Sequence, residues 1–318
     1  MAEENKGGCL RRGLTLVGVG LAVIVAAGFM TTAIIANRAE RVYPPEGEFV
    51  TVDGATLHYV RAGSGQPLIY LPCGGCPLQS FTMSEAFERA VETYDVIVFD
   101  RYGLGHSDLG TAHALPSEQA ALIHGALQQL DIENPVLVGH SASGAVALAY
   151  ADRYETQGVV IMAGAVYESE GGTALLQALA TPVLGDVLIN VIYVPVFNIL
   201  VSVFGAGQGG PDRLPAEYIR VSTALGSRPQ HIKAAAAHTL GINAEAPALS
   251  QTYSTLDVPV IYLAGSEDNP MFAQMGERLA AELPNGQFEV VEGAGHSPYF
   301  SQPEALLDAI GRIRSAQE

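Results

Sequence analysis

Short apolar runs alternate with longer amphipathic stretches along most of this 318-residue chain. Runs of this length, ended by glycine or polar residues, are typical of buried β-strands. They cover residues 48–52, 56–61, 68–71, 96–99, 136–138, 159–162, 258–263 and 288–291. Helical patterns cover residues 117–130, 142–153, 271–283 and 303–313. The alternation predicts an α/β fold, with a mostly parallel eight-stranded sheet covered on both faces and an antiparallel hairpin at its edge.

Between Tyr167 and Leu256 the alternation stops, and helical patterns follow one another without a clear strand. We predict that residues 168–255, approximately, form a helical cap over the carboxyl ends of the strands, where α/β sheets bind ligands. Within it, residues 182–204 carry a single charge. Pro195 should interrupt this apolar segment, so that each half is too short to span a membrane. Two interpretations stay open: a pair of packed cap helices, or a lid that leans on a membrane over an apolar tunnel.

A second long apolar segment lies near the N-terminus. Residues 14–36 contain no charge, and at about 1.5 Å per residue they span roughly 34 Å, enough to cross a hydrocarbon core of about 30 Å. With Arg11 and Arg12 before it, we predict a cytoplasmic tail over 1–13, an uncleaved transmembrane anchor over 14–36 and one extracytoplasmic domain over 44–318. A cleaved signal peptide, giving a secreted protein, is the alternative. Its apolar part is normally about 7–15 residues long, and no A-x-A site follows this run.

Composition excludes several classes of protein. The chain has 16 Lys+Arg against 33 Asp+Glu, a net charge of −17, and no Lys/Arg-rich stretch, so we expect no nucleic-acid partner. Hydrophobic residues make up 48% and charged residues 15%, a composition too apolar for a disordered chain. Three cysteines are too few for a disulfide-dense miniprotein. The sequence indicates neither protein partners nor an oligomeric state.

The sequence Gly139-His140-Ser141-Ala142-Ser143 follows a predicted strand and opens a predicted helix. A serine on such a turn projects its hydroxyl away from the sheet, and small neighbours are needed where the chain turns sharply. The usual pattern is G-x-S-x-G; here Ser143 takes the place of the last glycine. Ser141 is therefore the candidate nucleophile. Ser143 is a weaker candidate, because no glycine stands two residues before it.

Two further residues complete a candidate catalytic set. A nucleophilic serine needs a histidine base, and that base needs a carboxylate to orient it. His296 lies in Gly-Ala-Gly-His after the last predicted strand, and Asp268 follows the strand before it. Glu267 is the alternative acid. The chain order Ser141, Asp268, His296 is the order found on sheets of this kind.

These motifs, with the segment 98–108, resemble those of the α/β-hydrolase superfamily over roughly residues 48–314. That segment is similar to the family's D-x-x-G-x-G-x-S motif, in which we expect Asp100 and Ser107 to be structural. The resemblance implies a triad of Ser141 as nucleophile, Asp268 as orienting acid and His296 as base. The aspartate-nucleophile relatives, epoxide hydrolases and haloalkane dehalogenases, do not match, because position 141 is serine.

The family's oxyanion loop is altered here. Members usually have His-Gly after the third strand, whereas this chain reads Cys73-Gly74-Gly75-Cys76. The resemblance implies an oxyanion hole from the N–H groups of Gly75 and Ala142, with Cys76 as the alternative to Gly75. The two cysteines lack the further ligands of a zinc site, so no metal is expected. They are either two small, partly buried thiols or, in an oxidising compartment, a disulfide that fixes the loop.

The sequence thus predicts a membrane-anchored serine hydrolase that cleaves a carboxylic ester or related acyl bond through an acyl-enzyme. Its partners would be a small, apolar acyl substrate and the membrane, and no metal or organic cofactor is implied. One alternative is a cofactor-free perhydrolase or haloperoxidase that uses the same triad. The other is a non-catalytic ligand sensor on the same fold, since fold alone does not fix function.

Overall fold

The computed structural model describes residues 2–169, 173–204 and 210–315. Its strands are β1 Glu48–Val52, β2 Ala55–Gly63, β3 Gln66–Leu71, β4 Tyr94–Phe99, β5 Val136–His140, β6 Gly158–Met162, β7 Val260–Gly265 and β8 Gly286–Val291. Its helices are α1 Ala2–Val42, α2 Gln79–Thr82, α3 Glu85–Ala90, α4 Pro116–Gln129, α5 Ser143–Ala151, α6 Thr173–Ala180, α7 Leu184–Val187, α8 Val194–Phe204, α9 Ala216–Gly226, α10 Pro229–Leu249, α11 Pro270–Glu282, α12 Pro298–Ser301 and α13 Pro303–Ser315. The predicted boundaries at residues 1 and 318, and cap residues 170–172 and 205–209, lie outside this description.

All eight strands form one sheet in the order β1-β2-β4-β3-β5-β6-β7-β8. β2 pairs antiparallel with both β1 and β4, and the remaining neighbours are parallel. The central strands are buried on both faces, which explains why their sequences are continuous apolar runs. The predicted fold class is confirmed. The carboxyl ends of the parallel strands meet at one edge of the sheet, and the candidate site lies there.

The two faces of the sheet support separate cores. Along β3, Ile69 and Leu71 join the core under α4, α5 and α11, while Leu68 and Tyr70 join the core under α3 and α13. Successive side chains on a strand point to opposite faces, so a single strand contributes to both cores. Full burial of each such side chain stabilises the fold by about 1.5–3 kcal/mol, and these cores hold the strand ends in place.

Helices α6 to α10 form the cap between β6 and β7. The expected break at Pro195 is wrong, because the chain stays helical from Leu184 to Val201. A π-helical turn, Leu188–Tyr193, joins α7 to α8, and Pro195 is the second residue of α8. Proline is tolerated in the first turn of a helix, and the wider π turn before it changes the backbone pairing that proline would otherwise disrupt.

Helix α1 extends well beyond the predicted apolar segment. Its buried or half-buried positions recur on one face from Val25 to Ala39, and the side chain of Ile35 packs against a small core inside the cap. Near its end, Glu40 faces Arg228 of the cap, with 3.7 Å between the charged atoms. Within the described residues, two helical segments are long and apolar enough to cross a membrane, Arg11–Val42 and Leu184–Val201.

Candidate active site

Ser141 lies at the sharp turn between β5 and α5. Its φ is +54°, a left-handed conformation that costs energy for a residue other than glycine and is typical of functional sites. Gly139 permits the turn, since a Cβ there would lie 2.6 Å from the Ser143 carbonyl oxygen. The Ser141 N–H is fixed by the carbonyl oxygen of Met162 on β6, at 2.8 Å. The turn therefore holds the Ser141 hydroxyl at the carboxyl edge of the sheet.

The departure from the usual G-x-S-x-G pattern has a structural explanation. Ser143 is fully buried, and its hydroxyl donates a hydrogen bond to the carbonyl oxygen of Pro72. That bond connects the serine turn to the loop after β3, so the serine has a structural partner that glycine could not provide. The close backbone approach comes one residue later, at Gly144, where a Cβ would lie 3.0 Å from the Cα of Gly164 in the segment after β6. A buried, hydrogen-bonded Ser143 is not available as a nucleophile.

The loops after β7 and β8 bring Asp268 and His296 to Ser141. The distance from His296 Nε2 to Ser141 Oγ is 3.0 Å, and that from His296 Nδ1 to Asp268 Oδ2 is 2.8 Å. The Asp268 side chain is 9% exposed and that of His296 is 37% exposed, so the acid is shielded while the base remains accessible. Asp268, rather than the exposed Glu267, contacts the histidine. The arrangement can move a proton from the hydroxyl to the imidazole and hold the resulting cation.

Asp212, a cap residue that the sequence analysis did not single out, holds the histidine loop. Its carboxylate is 6% exposed and accepts hydrogen bonds from the N–H groups of Gly295 and Ser297, each at 2.8 Å. It also accepts one from the Ser301 hydroxyl at 2.8 Å. These bonds fix the backbone on both sides of His296. Nothing in the sequence distinguishes Asp212 from other loop aspartates, because its partners are more than 80 residues away in the chain.

A cavity of about 440 Å³ opens beside Ser141. Its walls come from the serine turn, the loop after β3, the cap and α11. The lining includes Gly74, Gly75, Ala142, Leu176, Leu179, Tyr193, His231, Ile232, Ala236, Ile242, Met271, Phe272 and Met275. Among the described residues in this lining there is no lysine, arginine, aspartate or glutamate. The cavity is therefore suited to an uncharged, apolar group.

The loop after β3 is held in a defined shape. Cys73 and Cys76 form a disulfide, which decides between the two alternatives left by the sequence. The Cys76 N–H donates to the Cys73 carbonyl oxygen at 3.2 Å, and His231 Nε2 lies 3.0 Å from the Gly75 carbonyl oxygen. A Cβ on Gly74 would lie 3.0 Å from the Ala142 Cβ, so this loop and the serine turn are in contact. Gly75 and Ala142 consequently line the same cavity as Ser141.

Asp100 organises the loop after β4. Its buried carboxylate lies 2.7 Å from His58 Nδ1. It also accepts hydrogen bonds from the N–H groups of Leu78 at 2.7 Å and His106 at 2.8 Å. A Cβ on Gly105 would lie 1.9 Å from this carboxylate, which explains the glycine in the motif. These contacts are structural, and they leave Asp100 away from the cavity lining.

Buried histidines surround the site in the neutral form. Burial, followed by proximity to the His296 imidazole, lowers the pKa of His140 to about 3; its Nε2 lies 2.7 Å from the His296 carbonyl oxygen. Burial, followed by the charge of Arg228, lowers the pKa of His231 to about 4. Within the described residues, no group of three or more His, Cys, Asp and Glu side chains could hold a metal ion.

These low pKa values predict that acid destabilises the protein. An unfolded histidine titrates near pH 6.5, so between about pH 6.5 and 4 the unfolded chain binds more protons than the native one. Stability should therefore fall as the pH falls. At pH 5, His140 alone should contribute about 2 kcal/mol of lost stability relative to pH 7.5. Urea unfolding at both pH values, for the wild type and His140→Gln, isolates this contribution; equal losses in the two proteins would contradict it.

Residues 68–309 match the family model of the Alpha/beta hydrolase family. An uncharacterized protein of Mycobacterium tuberculosis is 26% identical over 289 residues, covering 87% of this chain and 83% of the relative. A 2-hydroxy-6-oxononadienedioate/2-hydroxy-6-oxononatrienedioate hydrolase of Paraburkholderia xenovorans is 28% identical over 262 residues, covering 78% of this chain and 86% of the relative.

Solved structures share the fold at low identity. A thermophilic esterase from Thermogutta terrifontis superimposes with a TM-score of 0.68 at 22% identity, covering 85% of this chain and 99% of the esterase. The enol-lactonase from Burkholderia xenovorans LB400 also superimposes with a TM-score of 0.68, at 18% identity. The superposition covers 84% of this chain and 100% of the lactonase. The family model spans most of the sheet, the serine turn and the loops of Asp268 and His296, and the chain therefore belongs to the α/β hydrolase family.

Proposed function

We propose that this protein is a membrane-anchored serine hydrolase that cleaves a carboxylic ester of a small, apolar acyl substrate. One observation carries the proposal: a continuous hydrogen-bonded set, Ser141–His296–Asp268, beside an uncharged cavity. A chain of hydroxyl, imidazole and buried carboxylate with these distances is the arrangement that activates serine for attack on a carbonyl.

In this mechanism His296 takes the Ser141 proton as the serine oxygen attacks the ester carbonyl. The tetrahedral intermediate collapses when His296 returns that proton to the leaving alcohol, and an acyl-enzyme remains. Water, deprotonated by the same histidine, then releases the carboxylic acid and restores Ser141. Asp268 orients the imidazole and stabilises the imidazolium formed in each half of the cycle.

The developing oxyanion needs fixed donors, and we assign this role to the N–H groups of Gly75 and Ala142. The Cys76 N–H is already used within the loop, which favours Gly75 over Cys76. The disulfide and the His231 contact to the Gly75 carbonyl hold this peptide unit before substrate binds. Such preorganisation matters because one oxyanion donor contributes roughly 3–4 kcal/mol to lowering the barrier.

The lining of the cavity favours a neutral ester over a dicarboxylate substrate. The Paraburkholderia relative is named for its action on a dioate, whose carboxylates would need cationic or other strong donors. No described residue lining the cavity here is lysine or arginine. Serine at position 141 likewise argues against the chemistry of the soluble epoxide hydrolase of Corynebacterium, which is 22% identical.

Anchoring is part of the proposal. The helical segment Arg11–Val42 is long and apolar enough to cross a membrane, and only 6% of its most apolar window is buried. A cleaved signal sequence can have the same length and apolar composition. Retention of helix α1 in the mature protein is supported by the contacts of this helix with the cap, including Thr32 Oγ1 to the Asn190 carbonyl oxygen at 2.8 Å and Glu40 to Arg228. With Arg11 and Arg12 on the cytoplasmic side, the catalytic domain would be extracytoplasmic.

A fluorophosphonate probe tests the proposal directly, because it forms a stable covalent bond only with an activated serine. We expect the wild type to be labelled at Ser141 and Ser141→Ala to remain unlabelled, as seen by mass spectrometry of the labelled peptide. A ligand sensor would leave both proteins unlabelled. Turnover of an ester panel with and without hydrogen peroxide then separates an esterase from a perhydrolase.

The Asp212 contacts predict that this cap residue positions His296. We expect Asp212→Ala to lower kcat by about 10–100-fold with little change in KM, since small displacements of a catalytic group are costly. Asp212→Asn, which retains one acceptor oxygen, should recover part of the loss. The exposed Asp257, whose carboxylate accepts a hydrogen bond from Asn285, provides a matched control: Asp257→Ala should leave kcat unchanged. Wild-type kcat in Asp212→Ala would contradict the positioning role.

A further inference from the structure

Helix α1 contacts the cap within Arg11–Val42, the part of the helix that is long and apolar enough to cross a membrane. A Cβ on Gly28 would lie 2.8 Å from the Val191 Cα, and the buried Thr32 hydroxyl donates to the Asn190 carbonyl oxygen at 2.8 Å. Small residues that let two helices approach closely, with their polar groups paired, are what helix contacts within a bilayer require. The Asn190 side chain is also paired, since its Nδ2 donates to the Asp186 carbonyl oxygen at 2.8 Å.

The depth of these contacts is fixed by helix geometry. At about 1.5 Å per residue, Thr32 lies about 6 Å and Gly28 about 12 Å inside the apolar run that ends at Ala36. If only the part of the helix before the cap contacts were in the membrane, residues 14–24 would span about 16 Å, roughly half of a hydrocarbon core. An anchor that spans the bilayer therefore carries the attached cap segment, Leu184–Val201, into it.

The cap segment presents the surface that such a position requires. Ile192, Val196, Ile199 and Leu200 have exposed fractions of 53%, 48%, 62% and 48%, and their spacing places them on one helical face. An exposed apolar face of this kind is costly in water. The one acidic residue of the segment, Asp186, is paired with Lys233 at 2.6 Å.

The same segment borders the cavity. Tyr193 is 41% exposed on the apolar surface, and it also lines the cavity beside Ser141. Leu176, half-buried in α6, lines that cavity as well, and its neighbour Leu175 is 60% exposed. The apolar surface and the apolar cavity are thus continuous at Tyr193.

We infer that the cap segment Leu184–Val201 is immersed in the bilayer beside the anchor, and that the substrate is an acyl ester of a membrane lipid. The acyl chain passes from the hydrocarbon core into the cavity past Tyr193 and reaches Ser141 without crossing water. This inference rests on the proposed function, which it deepens by naming the source and class of the ester.

The absence of tryptophan from the sequence allows a test of depth that does not depend on activity. A single tryptophan is introduced by Ile199→Trp in the cap, by Leu21→Trp in the anchor or by Val290→Trp on β8, whose side chain is 46% exposed. Each full-length protein is reconstituted in phosphatidylcholine vesicles with and without bromine on the acyl chains. We expect quenching of Ile199→Trp and Leu21→Trp by more than half, and none of Val290→Trp.

Quenching of Leu21→Trp without quenching of Ile199→Trp would overturn the immersed cap while leaving the anchor intact. Absence of quenching in both would contradict the anchor itself, and with it the membrane part of the proposed function. The two failures are therefore distinguishable.

Access of the lipid is tested with two esters. Ile199→Asp should lower turnover of monooleoylglycerol presented in vesicles by about tenfold or more, and leave turnover of soluble p-nitrophenyl butyrate unchanged. Val290→Asp, the matched control, should affect neither. Equal turnover of the vesicle-borne ester by the wild type and Ile199→Asp would overturn entry through the membrane. If the wild type hydrolyses neither the vesicle-borne nor the soluble ester, the proposed function itself is contradicted.

Discussion

Ser141→Ala should reduce turnover of short p-nitrophenyl esters by about 10⁴-fold or more. The variant removes the only atom that can form the acyl-enzyme, while the turn that holds it is unaffected by loss of one oxygen. His296→Ala should be comparably damaging, because without the base at 3.0 Å the serine hydroxyl stays protonated. Catalytic residues that act as a unit give similar losses singly and together, so Ser141→Ala/His296→Ala should be little worse than either variant alone.

Asp268→Asn should cost somewhat less than loss of the serine. The amide retains the size of the carboxylate, but it neither stabilises the imidazolium nor fixes the required histidine tautomer. Ser143→Gly is the matched control, because it restores the usual G-x-S-x-G pattern and removes one buried hydrogen bond outside the reacting atoms. We expect its turnover to stay within about tenfold of the wild type. Retained activity in Ser141→Ala, measured on protein free of contaminating esterase, would contradict the mechanism.

Asp100→Ala should lower the free energy of unfolding by about 3–5 kcal/mol. The substitution leaves the N–H groups of Leu78 and His106, together with His58 Nδ1, without their carboxylate partner. Each buried group left unsatisfied costs roughly 1–3 kcal/mol. The midpoint of urea unfolding, followed by circular dichroism in detergent, measures the loss.

Asp95 on β4 provides a control. The Asp95 residue is 8% exposed, and its carboxylate accepts hydrogen bonds from Nε and Nη2 of Arg61 at 3.0 Å and 2.7 Å. The arginine side chain is 39% exposed, so in Asp95→Ala water can solvate the guanidinium that loses its partner, whereas Asp100→Ala leaves buried N–H groups unsatisfied. Asp95→Ala should therefore be far milder than Asp100→Ala. A larger loss from Asp95→Ala would show that the buried hydrogen bonds of Asp100 do not control the stability of this loop.

The sequence alone was sufficient to locate the strands of the sheet, but not to give their order. Each buried strand is a local apolar run, so periodicity located all eight strands, although the run predicted at 258–263 is shifted by two residues from β7, Val260–Gly265. Short motifs at strand ends predicted the site residues, because the turn that presents a catalytic side chain needs particular residues in adjacent positions. The structure places His296 within hydrogen-bond distance of both Ser141 and Asp268.

Other features depend on contacts between distant parts of the chain and have no local signal. Thr32 meets Asn190 across 158 positions, and Asp212 meets the histidine loop across more than 80. Pro195 predicts a break in the helix from the sequence alone, yet the cap segment stays helical through the π turn that precedes it. The sequence determined the elements, because their periodicity is local. Only the tertiary structure decided which elements meet. Two elements pack together when their surfaces fit in shape and their polar groups can pair, and neither property depends on their separation along the chain.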